Sequence, residues 1–176
     1  MKKNFVFLVA LFVVVGITLS CNKEKAGVPA QTSQTPAASQ QKAPDFTLKD
    51  LNGNDFRLFN QAGKVIIVDF WATWCPPCRM EIPDFQSLYS KYSNQGLLLV
   101  GVSLDDSSEP VKEFVKKYNV SYPVVMGNEQ VANSYGGIRG IPTTFVIDGK
   151  GNIYKKYIGY TEGQVFEQDI LALLKK

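Results

Sequence analysis

Hydrophobic residues fall into three regimes along the chain. Phe5 to Leu19 is a nearly unbroken apolar run behind Met1-Lys-Lys-Asn. A basic start and an apolar stretch of this length are the pattern of a secretion signal, and the run is short of the about 20 residues that a membrane-spanning helix needs. From Asn22 to Lys42 large apolar side chains almost vanish, replaced by Ala, Gln, Ser, Thr, Pro and Lys. Such a segment buries too little surface to fold, so it is expected to be a flexible tether with a coil-like reach of about 25 Å. Regular periodicity starts at Ala43. The expected organisation is therefore a leader over residues 1–20, a tether over 21–42 and one folded domain over 43–176.

Within the domain, Phe46-Thr-Leu and Phe56-Arg-Leu alternate on either side of Asn52-Gly-Asn-Asp, which predicts a leading β-hairpin. Val65 to Phe70 is short and β-branched, so it predicts a buried strand. The chain then turns through Ala72 to Trp74 into Cys75-Pro-Pro-Cys78. Two prolines suit the first positions of a helix, where their missing N–H groups would lack partners anyway. That helix is expected to reach about Tyr92, with Phe85, Leu88, Tyr89 and Tyr92 on its inner face and a kink at Pro83. Leu97 to Leu104 reads as a strand buried on both faces. Val111 to Tyr118 has helical spacing, Tyr122 to Val125 reads as a short strand, and Gln130 to Tyr135 as a short helix. Thr144 to Asp148 and Asn152 to Ile158 bracket a turn as a second hairpin, and Gly163 to Leu174 closes the chain as an amphipathic helix. Strands and helices that alternate first and end in a hairpin imply an α/β domain with a mixed sheet and helices on both faces.

The 176 residues are 45% hydrophobic and carry a formal charge of +3. Removal of the leader with Lys2 and Lys3 leaves 17 basic and 16 acidic residues, a balance that makes nucleic acid an unexpected partner. There is no histidine, which excludes Ser-His and Cys-His catalysis and histidine-ligated metals. Cys21, Cys75 and Cys78 are the only cysteines, so a four-ligand zinc site lacks its second pair. Arg79 in place of histidine also breaks the c-type haem signature. No metal or cofactor is expected.

Asp69-Phe-Trp-Ala-Thr-Trp-Cys-Pro-Pro-Cys, Pro83 and Tyr135-Gly-Gly-Ile-Arg-Gly-Ile-Pro-Thr-Thr-Phe145 resemble the active-site helix and the opposing cis-proline loop of the thioredoxin fold. The resemblance covers about Ala43 to Lys176. The leading hairpin and an extra helix and strand at about residues 106 to 126, inserted before the cis-proline, are similar to membrane-tethered TlpA/ResA-type thiol:disulfide oxidoreductases, close to the CcmG/DsbE proteins of cytochrome c maturation. Ile17-Thr-Leu-Ser-Cys21 resembles the lipobox of bacterial lipoproteins, with Thr18 departing from the usual leucine. Cys21 is thus expected to carry lipid and hold the domain on a bacterial membrane, facing the periplasm or the outer surface. Plain secretion with a spare thiol and an uncleaved anchor remain the alternatives.

A free cysteine with a pKa of about 8.5 is mostly protonated at neutral pH, and a helix N-terminus lowers that value. Cys75 is therefore expected to be the nucleophile and the exposed member, and Cys78 the resolving thiol. Two cysteines closing an inert staple are disfavoured, because so short a loop restricts the unfolded chain little. Asp69 is the odd carboxylate in an apolar strand, and burial should raise its pKa. The resemblance implies that it accepts the proton of Cys78; a solvated aspartate at the strand end is the other reading. Many TlpA-type proteins carry a neutral residue there. Glu81 resembles a glutamate near the active site of the TlpA/ResA group and is otherwise a polar residue early in a helix. The lysine that thioredoxins place on the next strand has no counterpart in Leu97 to Leu104.

Pro142 is implied to be cis, turning the Ile141 backbone toward Cys75 as a docking edge bordered by Arg139 and Gly140. Trp74, with Pro76 and Pro77, is expected to form a surface platform for substrate, and Trp71 to pack. Oxidants of this fold often place histidine between the cysteines; Pro76-Pro77 points to a reductase of exported proteins, apocytochrome c among them. A monomer is expected, with electrons coming from a membrane partner of the DsbD/CcdA kind. Two rivals are a peroxiredoxin-like peroxidase and a lipoprotein that only binds partners. Val68 and Ala72 break the Pro-x-x-x-Thr/Ser-x-x-Cys pattern of the peroxidase.

Overall fold

The computed structural model describes residues 41–175; the leader, Cys21 and the tether up to residue 40 lie outside them. Pairing begins slightly before the expected domain start, since the Ile153 N–H donates to Gln41 O at 2.8 Å and Lys42 bridges Asn152. The first strands, β1 (Thr47–Lys49) and β2 (Asp55–Arg57), form the expected antiparallel hairpin with Leu48 opposite Phe56. The alternation stops at Leu58, which opens a 3-10 turn over Leu58–Gln61 in place of further strand. Its side chain is buried and its N–H donates to Phe46 O at 3.0 Å, so the turn is pinned onto the hairpin.

Five strands make the main sheet: β3 (Val65–Trp71), β4 (Leu97–Ser103), β5 (Val124–Met126), β6 (Thr143–Ile147) and β7 (Ile153–Ile158), in the order β5-β4-β3-β6-β7. β3 and β4 are parallel, as are β4 and β5, whereas β6 runs antiparallel to β3 and β7 to β6. Every residue of β3 and β4 is buried, as expected of strands covered on both faces. The α-helices among the described residues are α1 (Pro76–Tyr92), α2 (Ser108–Lys117), α3 (Glu129–Ser134) and α4 (Gly163–Leu174). α1 is continuous through Pro83.

Strand alternation divides the core in two. Val65, Ile67 and Trp71 pack with Ile82 and Phe85 of α1, Phe114 of α2 and Phe166 and Ile170 of α4. Ile66, Val68 and Phe70 face the other way, toward Leu48 of the hairpin, Phe145, and Val131 of α3. Helices thus lie on both faces of a mixed sheet, as the sequence pattern implies. The fold is the thioredoxin fold, with its extra hairpin and the α2-β5 insertion.

The register decides where chemistry can occur. The strand register brings the C-terminal ends of β3 and β4 and the start of β6 to one pole, because Phe70 pairs with Thr143 and Trp71 with Ser103. The turn to α1 leaves the sheet at that pole, beside the cis Ile141–Pro142 bond. The segment after β7 reaches it as well, since the Gly159 N–H donates to Pro142 O at 2.8 Å.

Candidate active site

Cys75 is the N-cap of α1, in an extended conformation, and its sulfur accepts the Cys78 N–H at 3.2 Å. A β-turn-like contact from the Cys75 N–H to Ala72 O at 3.2 Å closes the preceding turn. Cys75 and Cys78 are joined in a disulfide, with Cα atoms 5.4 Å apart. One expectation needs correction: Cys75 is not an exposed residue. It is 3% exposed and Cys78 1%, because the capping geometry turns Cys75 Sγ inward over the helix end. Pro76 and Pro77 occupy the first two helical positions, so neither offers an N–H to that sulfur.

Beneath the pair lie two buried carboxylates. Asp69 sits within β3, two residues before its end, and is 2% exposed, which excludes the solvated reading. It shares its face of the strand with Ile67 and Trp71, the face that α1 covers. Its one hydrogen-bond donor among the described residues is Thr144 Oγ1 at 3.2 Å. Burial pushes its pKa up to about 7, with the threonine opposing only in part. Glu81, one turn beyond Cys78 on α1, is 1% exposed. Its Oε1 accepts the Thr161 N–H at 2.7 Å, while Oε2 is buried with no hydrogen-bond partner among the described residues. Burial first, and then the nearby charge of Asp69, push Glu81 up to about 8. Tyr122, also buried, is raised by burial and by the same two carboxylates. Near neutral pH this cluster can therefore both take up and release a proton.

The lysine missing from β4 has a physical explanation. Gly101 pairs with Asp69 across the sheet, and a Cβ there would lie 2.8 Å from Trp71 Nε1. The indole occupies the room that a side chain would need, and Trp71 is a packing residue, with its ring 5.2 Å from that of Phe114.

Around the cysteines, Trp74 is 66% exposed, Pro76 and Met80 are exposed and Pro77 is half-buried. On the other side of the turn, Arg139 and Gly140 are exposed, Ile141 is half-buried and Pro142 is buried. The Thr143 hydroxyl donates to Gly140 O at 2.7 Å and closes this loop. Sequence reasoning missed four contributors: Thr144 on Asp69, Thr161 on Glu81, Gly159 on Pro142, and a carboxylate, Asp105, bonded to Thr73. Each acts across at least 17 residues of chain or through a backbone group, which leaves no local signature. Glu81 was legible, since Cys78, Glu81, Ile82 and Phe85 share one helical stripe.

The AhpC/TSA family profile matches residues 39–156. The thiol-disulfide oxidoreductase ResA of Geobacillus thermodenitrificans is 35% identical over 169 residues, covering 96% of this chain and 92% of that one. ResA of Bacillus subtilis is 36% identical over 135 residues, 76% of this chain and 74% of that one. Among solved structures, a thioredoxin-family thiol:disulfide interchange protein from Chlorobium tepidum superposes with a TM-score of 0.73 at 34% identity, covering 78% of this chain and 99% of its own. StoA from Bacillus subtilis does so with a TM-score of 0.62 at 32% identity, covering 72% and 96%.

Proposed function

Since the chain belongs to the AhpC/TSA family and is a ResA-type thiol-disulfide oxidoreductase, we propose that it works as a reductase of disulfides in exported proteins, with Cys75 attacking and Cys78 resolving. The observation that carries the direction is the thin set of donors on Cys75 Sγ. Among the described residues the Cys78 N–H alone reaches it, and the two intervening positions are prolines. A strongly oxidising site needs a heavily stabilised thiolate. Here the sulfur that would carry that charge sits at a helix end and, among the described residues, meets a single N–H.

In the proposed cycle the Cys75 thiolate attacks a substrate disulfide, forming one S–S bond and expelling the second substrate sulfur as a thiolate. Cys78 then loses its proton to Asp69, whose pKa of about 7 suits a base at neutral pH. The Cys78 thiolate attacks Cys75 Sγ and releases the reduced substrate. The disulfide seen between the cysteines is the state left after two electrons have been given up. Glu81 holds a proton to higher pH than Asp69 and passes it to solvent or to the departing thiolate. Trp74, Pro76 and Pro77 on one side and Arg139, Gly140, Ile141 and Pro142 on the other form the groove in which an extended substrate segment lies. Two electrons return from a membrane dithiol donor of the DsbD/CcdA kind, as no second redox pair exists in the sequence.

The leader pattern and Cys21 support an extracytoplasmic site held to the membrane by lipid, with apocytochrome c among the substrates. Peroxidase chemistry is disfavoured because Val68 and Ala72 are fully buried apolar residues where that mechanism requires proline and a hydroxyl. The test is a Cys78→Ser protein expressed in its host. Mixed disulfides through Cys75 should accumulate and identify the substrates. Recovery of none, with Cys75 intact and accessible to alkylation after reduction, would refute the assigned roles.

A further inference from the structure

Asp105 lies in the loop between β4 and α2 and has no part in the exchange steps above. Its buried carboxylate nonetheless takes three donors. Oδ2 accepts the Thr73 N–H at 2.9 Å and the Ser103 hydroxyl at 2.8 Å, and Oδ1 accepts the Thr73 hydroxyl at 2.5 Å. The Asp105 N–H donates back to Ser103 Oγ at 3.1 Å. This carboxylate stands on a fixed base. The Leu104 N–H donates to Trp71 O at 2.8 Å, and the Gly127 N–H to Ser103 O at 2.7 Å, tying the end of β4 to β3 and to the segment after β5.

What the carboxylate grips is the turn that delivers the nucleophile. Thr73 is two residues before Cys75, and within the turn itself the Cys75 N–H to Ala72 O contact is the backbone hydrogen bond present. Pro76 and Pro77 cannot offer N–H groups, so the approach of Cys75 Sγ to the Cys78 N–H depends on where the turn sets the Cys75 backbone. In a helix that began with ordinary residues, other donors would tolerate a small rotation of the sulfur. Here, among the described residues, no second donor reaches the sulfur.

The geometry points to Asp105 as a positioning residue: through the N–H and hydroxyl of Thr73 it holds the Ala72–Cys75 turn so that Cys75 Sγ faces the Cys78 N–H and the helix end, which keeps the attacking thiolate formed. The inference rests on Cys75 being the nucleophile. A carboxylate that only staples the loop would cost stability when removed and leave the thiol's titration alone. The sign of the shift separates positioning from plain electrostatics. Deleting a nearby negative charge eases ionisation of a thiol and lowers its pKa, whereas losing a hydrogen bond to the thiolate raises it.

The experiment follows alkylation of the reduced full-length protein against pH, read by mass spectrometry on the Cys75 and Cys78 peptides separately. Asp105→Asn should move the Cys75 midpoint up by about one pH unit, a tenfold change in the ionisation constant. Thr73→Val, which changes no charge, should move it in the same direction by a smaller amount, and Thr73→Ser, which keeps the hydroxyl, should titrate as wild type. The inference is overturned if Thr73→Val titrates as wild type, or if Asp105→Asn titrates at or below it. Should Asp105→Asn fail to fold, the threonine pair decides. Alkylation of Cys78 ahead of Cys75 in the wild-type protein would instead refute the nucleophile assignment.

Discussion

Replacing Asp69 by Asn removes a buried charge while preserving shape, and its effect on stability should depend on pH in a defined way. In the folded protein Asp69 titrates at about 7 rather than 3.8. Between these values the folded state keeps a proton that the unfolded chain has lost, so stability is greatest at low pH and falls as pH rises. A shift of about three units at 1.36 kcal/mol each gives roughly 4 kcal/mol lost in all, and about 3 of it between pH 5 and 8. Asn carries no charge and avoids this loss, and its amide can still meet the Thr144 hydroxyl. Urea denaturation of the oxidised protein at intervals from pH 5 to 9 provides the assay. The wild-type protein should lose stability steeply from pH 5 to about 7 and level off above about 8, and Asp69→Asn should be the more stable of the two at pH 8.5. The variant should retain a shallower slope from Glu81, whose pKa should also fall once the Asp69 charge is gone. Parallel curves for the two proteins from pH 5 to 8.5 would refute the reasoning.

Glu81→Gln keeps an acceptor for the Thr161 N–H, so it should fold, and its rate profile against pH should lose an inflection near 8 while keeping one near 7; an unchanged profile would remove Glu81 from the proton path. Gly101→Ala forces a methyl to within 2.8 Å of Trp71 Nε1, and overpacking of this kind should cost about 1–3 kcal/mol in chemical denaturation; a change below half a kilocalorie would mean that the indole yields freely.

The parts of this fold that were legible are those written in local periodicity. The apolar run at Val65 and the two prolines after Cys75 set β3 and the start of α1, and helical spacing placed Phe85, Leu88 and Tyr92 inward. The Ile141–Pro142 loop was reached through its resemblance to a known pattern. Locally silent features were missed. Leu58 reads as the end of a strand, but its N–H finds Phe46 O and the chain turns. Cys75 reads as exposed because helix caps usually are, whereas this cap folds its own sulfur inward. The donors to Asp69 and Glu81 come from 75 and 80 residues away, and the bond from Thr73 to Asp105 spans 32. Only the packed sheet brings these together.

The claim that the site gives electrons rather than takes them is tested most directly by the equilibrium reduction potential of the Cys75–Cys78 pair, measured in thiol–disulfide buffers at pH 7. With a single N–H on Cys75 Sγ and prolines between the cysteines, the account expects a reducing value, more negative than about −200 mV and toward the about −270 mV of thioredoxin. A value near the −120 mV or so of a strong oxidant would contradict it.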